Sequence, residues 1–212
     1  MKRYLTALTL AVAMLTTPVL AEGEHGLTVT APDPVNVSRS AGLAAWDRLH
    51  EVFVHPRCAN CHVDAEGVPM WTGPSYGAPG PHGMAIVAGE SRIGAETLPC
   101  QTCHVTSTQP NTVAHAAPHT GMEWQLAPVE FQWVGKSPQD ICAQVRDPDR
   151  NGGRDGAGLV EHILHDAAET GFITWGFNPG GGREPAPGDL QSHLDDTIAW
   201  VAAGMPCPED GQ

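Results

Sequence analysis

Apolar positions recur at helical spacing in four stretches of the chain. Leu43, Trp46, Leu49 or His50, and Phe53 predict a helix that starts near Ser40 and stops at Pro56. Ile141, Cys142 and Val145 follow Ser137-Pro138-Gln139-Asp140, a start with Ser as N-cap and Pro at the first helical position. That helix should end at Asp147-Pro148. Leu159, Ile163 and Ala167 predict a third helix over 158–168, with His162 and His165 three apart on another face. Leu190, Leu194, Thr197 and Val201 predict a last helix over 189–203, ended by Gly204 and Pro206. The intervening stretches 66–94 and 105–135 are rich in Gly and Pro and read as long loops. The expected fold is mainly α with extensive irregular loops and few or no strands. Residues 22–37 read as an irregular arm, and 38–212 as a single domain.

The beginning of the chain looks different. Lys2 and Arg3 precede an apolar run from Leu5 to Leu15, and Val19-Leu20-Ala21 offers small residues at a cleavage position. Residues 1–21 are therefore expected to be a signal peptide, and the mature protein a soluble periplasmic one. The chain of 212 residues carries a formal charge of −13, which becomes more negative when Lys2 and Arg3 leave. This argues against nucleic acid or an anionic membrane as partner and favours a protein with a basic docking face. Aromatic residues make up only 6%, so the core would gain from a bulky apolar prosthetic group.

The six cysteines show which group. Cys58-Ala-Asn-Cys61-His62 and Cys100-Gln-Thr-Cys103-His104 are two C-x-x-C-H motifs, the attachment sequence for c-type haem. Two thiols add across the haem vinyl groups, and the following imidazole, His62 or His104, supplies the proximal iron bond. Chance would give roughly 0.01 copies of this pattern in a chain of this composition. Two haem c groups are expected. The competing readings are a four-cysteine zinc site, which leaves both histidines unexplained, a thioredoxin-like redox pair, and C-x-x-C disulfides. Cys142 and Cys207 are left over, and in an oxidising compartment they are expected to pair as a disulfide.

Several segments resemble a family of small exported dihaem cytochromes, often labelled subunits of an isoquinoline 1-oxidoreductase. They are HPRCANCH (55–62), PHGM (81–84), CQTCH (100–104), APH (117–119), LAP (126–128), ICAQVRDPDRNGGR (141–154), LVEH (159–162), WGFNPGGGREP (175–185) and AWVAAGMPCP (199–208). The chain departs from that pattern around Met122 and at 168–173. The resemblance implies a cytochrome c-like dihaem domain. It also implies electron acceptance from a periplasmic molybdenum-containing hydroxylase or dehydrogenase.

The second axial position of each iron decides between an electron carrier and a catalyst. Candidates are His50, His55, His82, Met84, His115, His119, Met122, His162, His165, His193 and Met205. The favoured pair is His82 and His119, in Pro-flanked loops beside the motifs. Met84 rivals His82, and His162 or His165 rivals His119. The main expectation is an electron carrier. The alternative is a dihaem enzyme such as a peroxidase with one five-coordinate iron, for which Glu123, Glu130 and Glu161 are the available acids.

Overall fold

The computed structural model describes residues 20–22, 28–32, 36–73, 77–95, 97–114, 116–121 and 123–209. Most of the expected leader, and the candidates His115 and Met122, lie outside them. Among the described residues the protein is mainly helical, with long irregular connections and two small two-stranded ribbons.

Helix α1, Arg39–Val54, begins one residue before Ser40, because the Ser38 side chain accepts a hydrogen bond from the Ala41 amide and caps it. It buries Ala45, Trp46, Leu49 and Val52. The chain turns at His55 into a single short helix, α2, Pro56–Ala59. Pro56 thus ends one helix and starts the next, being tolerated only in a first turn. Helix α3 is Pro138–Arg146, with Ser137 capping as expected. Helix α4, Gly156–His165, is capped by Asp155 and runs on into a π turn, Asp166–Thr170. Helix α5, Phe172–Phe177, is not foreshadowed in the sequence pattern. Helix α6, Leu190–Ala202, opens with a capping box between Asp189 and Ser192.

The main core lies between α1, α3 and α6. Trp46 and Trp200 meet with ring centres 5.1 Å apart and are packed by Leu49, Ile141, Cys142, Val145, Trp133 and Leu159. At Gly42 an added Cβ would lie 2.3 Å from the Ala203 Cβ, so only glycine lets α1 approach the end of α6 this closely. Cys142 and Cys207 form a disulfide that ties α3 to the chain beyond α6. A second cluster, Ile163, Ala167, Leu190, Leu194 and Val29, joins α4 to α6.

Two stretches read as irregular contain short strands. In the arm, β2 (Thr28–Thr30) pairs antiparallel with β1 (Leu20–Glu22), so the end of the expected leader and the arm form a ribbon. Val29 is buried, and the Gln191 side chain exchanges two hydrogen bonds with the Thr30 backbone. In the first long loop, β3 (Met70–Gly73) pairs antiparallel with β4 (Gly77–Pro81). No helix among the described residues is long and apolar enough to cross a membrane.

Candidate functional site

The first motif sits on the turn after α1. The His55 carbonyl accepts from the Cys58 amide, and the Cys58 carbonyl accepts from the Cys61 amide at 3.1 Å. One helical turn therefore separates the two thiols. Cys58 packs against the main core, whereas Cys61 packs on a small cluster of Val63, Ala88 and Leu126. Both thiols keep partial exposure while protein surrounds them on most sides. That burial pushes Cys58 up to about 12 and Cys61 to about 11. A catalytic C-x-x-C redox pair needs the opposite shift.

His62 is fixed by a segment far along the chain. Its Nδ1 donates to the Phe131 carbonyl at 2.7 Å, its ring stacks on Trp133 at 3.5 Å and 3°, and its carbonyl accepts from the Trp133 amide. Because a carbonyl only accepts, Nδ1 carries the proton and the lone pair lies on Nε2. Burial holds the ring neutral by lowering its pKa to about 4. Arg92 and His162 also face it and oppose its protonation.

The second motif repeats the arrangement. A bridge between Gly94 and Pro99 closes the approach, and the Cys100 amide donates to the Ile93 carbonyl at 3.0 Å. An added Cβ at Gly94 would lie 2.6 Å from both the Leu98 carbonyl oxygen and the Pro99 Cα, so the bridge requires glycine there. Cys100–Thr102 form one tight turn, placing Cys103 after it. His104 donates Nδ1–H to the Pro118 carbonyl at 3.0 Å. Its ring lies 4.5 Å from Trp124, which meets Phe172 and Trp175 of α5 edge-on. Arg57 of α2 lies over Trp175 at 5.5 Å, so the aromatic group behind the second motif reaches back to the first.

Arg92 binds the two motifs together. Its guanidinium donates to the carbonyls of Ala127 (2.5 Å), Asp64 (3.0 Å) and Val63 (3.0 Å). Its own carbonyl accepts from Leu126, and the next carbonyl, Ile93, takes the Cys100 amide. The residue adopts φ 60°, unusual for a side chain of this size. Cys61 and Cys100 stand near enough for the charge of one to raise the pKa of the other. No spacing rule in the sequence points to Arg92, Trp124 or Trp133.

The remaining candidates separate by position. The His82 ring lies 5.9 Å from that of His104, and its Nδ1 donates to the Gly83 carbonyl at 2.8 Å. Met84, two residues on, is 80% exposed. His119 is held by its backbone, which exchanges two hydrogen bonds with the Asn111 side chain. Its neighbour Pro118 supplies the carbonyl that orients His104. His162 and His165 are exposed on α4. His162 is nonetheless partly desolvated, which lowers its pKa. His55 accepts from the Arg57 amide and caps α2. His50 lies beside Trp46, and His193 is buried between Phe53 and Phe177. Met205 packs on the main core. Glu123, Glu130 and Glu161 are all exposed.

Among the described residues, no three His, Cys, Asp or Glu side chains gather closely enough to hold a metal ion by themselves. A tetrahedral four-cysteine zinc site needs such a gathering; a haem needs only two thiols and one or two axial donors. No family model matches the chain, and neither the curated proteins nor the solved structures contain a significant match to it.

Proposed function

We propose that this protein is an exported electron carrier with two covalently attached c-type haems in one cytochrome c-like domain. Cys58 and Cys61 would hold one haem with His62 as proximal ligand. Cys100 and Cys103 would hold the other with His104. The observation that carries this reading is the repeated second hydrogen bond. Each motif histidine gives Nδ1–H to a backbone carbonyl, at 2.7 Å from His62 and 3.0 Å from His104. That bond fixes the ring and presents Nε2 as donor, the support that a metal-bound imidazole ordinarily has. The four motif thiols are free and none is fully buried.

Haem would supply the one-electron couple, tuned by its axial ligands and its surroundings. The chain supplies position and dielectric. Trp133 and Phe131 shield His62, while Trp124 shields His104. Arg92 holds the two attachment loops together, which favours exchange of electrons between the haems. The net charge of −13 favours a redox partner with a basic docking face. From the resemblance described above, that partner is a periplasmic molybdenum-containing dehydrogenase that donates electrons to the haems. The expected sixth ligands are His82 and His119, with Met84, His162 and His165 as rivals.

Expression in a host that attaches haem c outside the cytoplasm, followed by intact-mass measurement and a pyridine haemochrome spectrum, tests the proposal. The expected result is the mature chain plus two haems joined by thioethers. A mature chain of unmodified mass from such a host would refute it.

A further inference from the structure

We infer that His82 is the sixth ligand of the second haem iron, so that the loop growing out of the first motif completes the site of the second. The inference rests on the dihaem reading above. Four observations carry it.

The first is separation. The rings of His82 and His104 have centres 5.9 Å apart. Two imidazoles sharing one metal through Nε2 have about 1 Å from ring centre to nitrogen and about 2 Å from nitrogen to metal on each side, roughly 6 Å in all. Their planes lie 56° apart, and two imidazoles bound to one metal need not be coplanar.

The second is the tautomer. His82 donates Nδ1–H to the Gly83 carbonyl at 2.8 Å, as His104 does to Pro118 at 3.0 Å. Each ring keeps its lone pair on Nε2.

The third is the anchor. The Met70 amide, at the start of β3, donates to the carbonyl of Asn60 inside the first motif. Met70 and Cys61 also pack against the same small cluster of Val63, Ala88 and Leu126. The ribbon returns along β4, and the His82 amide donates to the Pro69 carbonyl at 2.8 Å. His82 is therefore presented from a base built on the first motif, against a ring of the second.

The fourth is backbone strain. Met84 and Ala85 follow at φ 64° and 53°, two successive non-glycine residues in the left-handed region. Such conformations persist where surrounding structure imposes them, and they concentrate at ligand clamps. The same turn directs Met84 into solvent, at 80% exposure.

His119 takes a different part. Asn111 grips its backbone on both sides, and the preceding carbonyl, Pro118, orients His104 from the Nδ1 side. Its place beside the support of His104 argues against it as the sixth ligand of this second iron and leaves that position to His82.

The test uses the full-length haem-loaded protein and its His82→Ala, His82→Met and His119→Ala variants. Haem content is counted by intact mass, and spin state by EPR of the oxidised protein. In His82→Ala, half of the haem iron should become high-spin with both haems retained, and added imidazole should return it to low spin. In His82→Met, one of the two potentials should rise while the other stays, because thioether ligation raises the potential. In a chain lacking Cys100 and Cys103, His82→Ala should leave the remaining haem unchanged. Retention of two haems with no change of spin state in His82→Ala would overturn this assignment and leave the dihaem reading intact. Conversion by His119→Ala alone would overturn it equally. A chain that carries no haem overturns both.

Discussion

Asp166 is 1% exposed, yet its carboxylate receives four hydrogen bonds. Oδ1 accepts from Thr170 Oγ1 at 2.6 Å and the Phe172 amide at 2.7 Å; Oδ2 accepts from the Thr174 amide at 2.8 Å and Thr174 Oγ1 at 3.1 Å. Phe172 and Thr174 belong to the first turn of α5, whose N-cap, Gly171, has no side chain to offer. Asp166 thus caps α5 from the preceding turn and places negative charge at its positive end. In Asp166→Asn, one oxygen remains and an amide N–H₂ faces the donors on the other side. The threonine hydroxyl can rotate, but at least one buried amide loses its acceptor. A buried unsatisfied donor costs about 1–3 kcal/mol, and the lost charge assistance adds to it, for about 3 kcal/mol in all. Chemical unfolding should show this as a lower midpoint at unchanged slope, and Tm should fall by roughly 6–12 °C. Trp175 of α5 packs on Trp124 at 5.5 Å, so near-ultraviolet circular dichroism should weaken as well. A variant within about 0.5 kcal/mol of the parent would refute the capping argument, because surface-like substitutions have effects of that size.

Replacing Cys142 and Cys207 together by Ala should cost about 4 kcal/mol, since the bridge closes 65 residues of chain; a loss below 1 kcal/mol in urea unfolding would contradict this. His193 is buried, which lowers its pKa from 6.5 to about 4. The unfolded chain therefore takes up this proton first, and stability should fall as pH drops from 6.5 towards 4, by up to about 3 kcal/mol. His193→Gln should flatten that part of the urea-midpoint profile, and parallel profiles would contradict the assignment. Arg92→Lys should not rescue Arg92→Ala, because one ammonium cannot reach three carbonyls in the geometry of a guanidinium. Hydrogen exchange at the Leu126 and Ala127 amides, which bond to Arg92 and Cys61, should accelerate in both variants.

How far the molecule could be read from its residues depended on the range of the interactions involved. Helix α3 is announced by Ser137 and Pro138, and α6 by Asp189 and its apolar face, because caps and periodicity are local. Helix α5 is too short and too uniformly apolar to show a period, and its cap is Asp166, outside any N-cap pattern. The β3–β4 ribbon hides in a run of Gly and Pro whose pairing is set by backbone bonds to Pro69 and Asn60. The Cys142–Cys207 bridge followed from assigning the other four cysteines. The carbonyls that hold His62 and His104 were unreadable, since every residue has a carbonyl and only the folded chain selects Phe131 and Pro118. The same holds for His82. Its loop marked it as a candidate, but nothing in its spacing says that it faces His104 rather than His62.

Those two carbonyls also set a schedule. His104 finds its partner 14 residues downstream, whereas His62 must wait for one 69 residues away. Closing the longer loop costs about 1.4 kcal/mol more in chain entropy. For a chain that crosses a membrane N-terminus first, the first thiol pair to emerge is the last to be enclosed. Cys142 emerges later still, and its mate follows after another 65 residues. Throughout that interval the four earlier thiols are available to it as wrong partners. Under the dihaem function proposed above, capture of those thiols during secretion would leave Cys207 as the one remaining mate, and would couple maturation of the attachment loops in time to correct closure of the bridge.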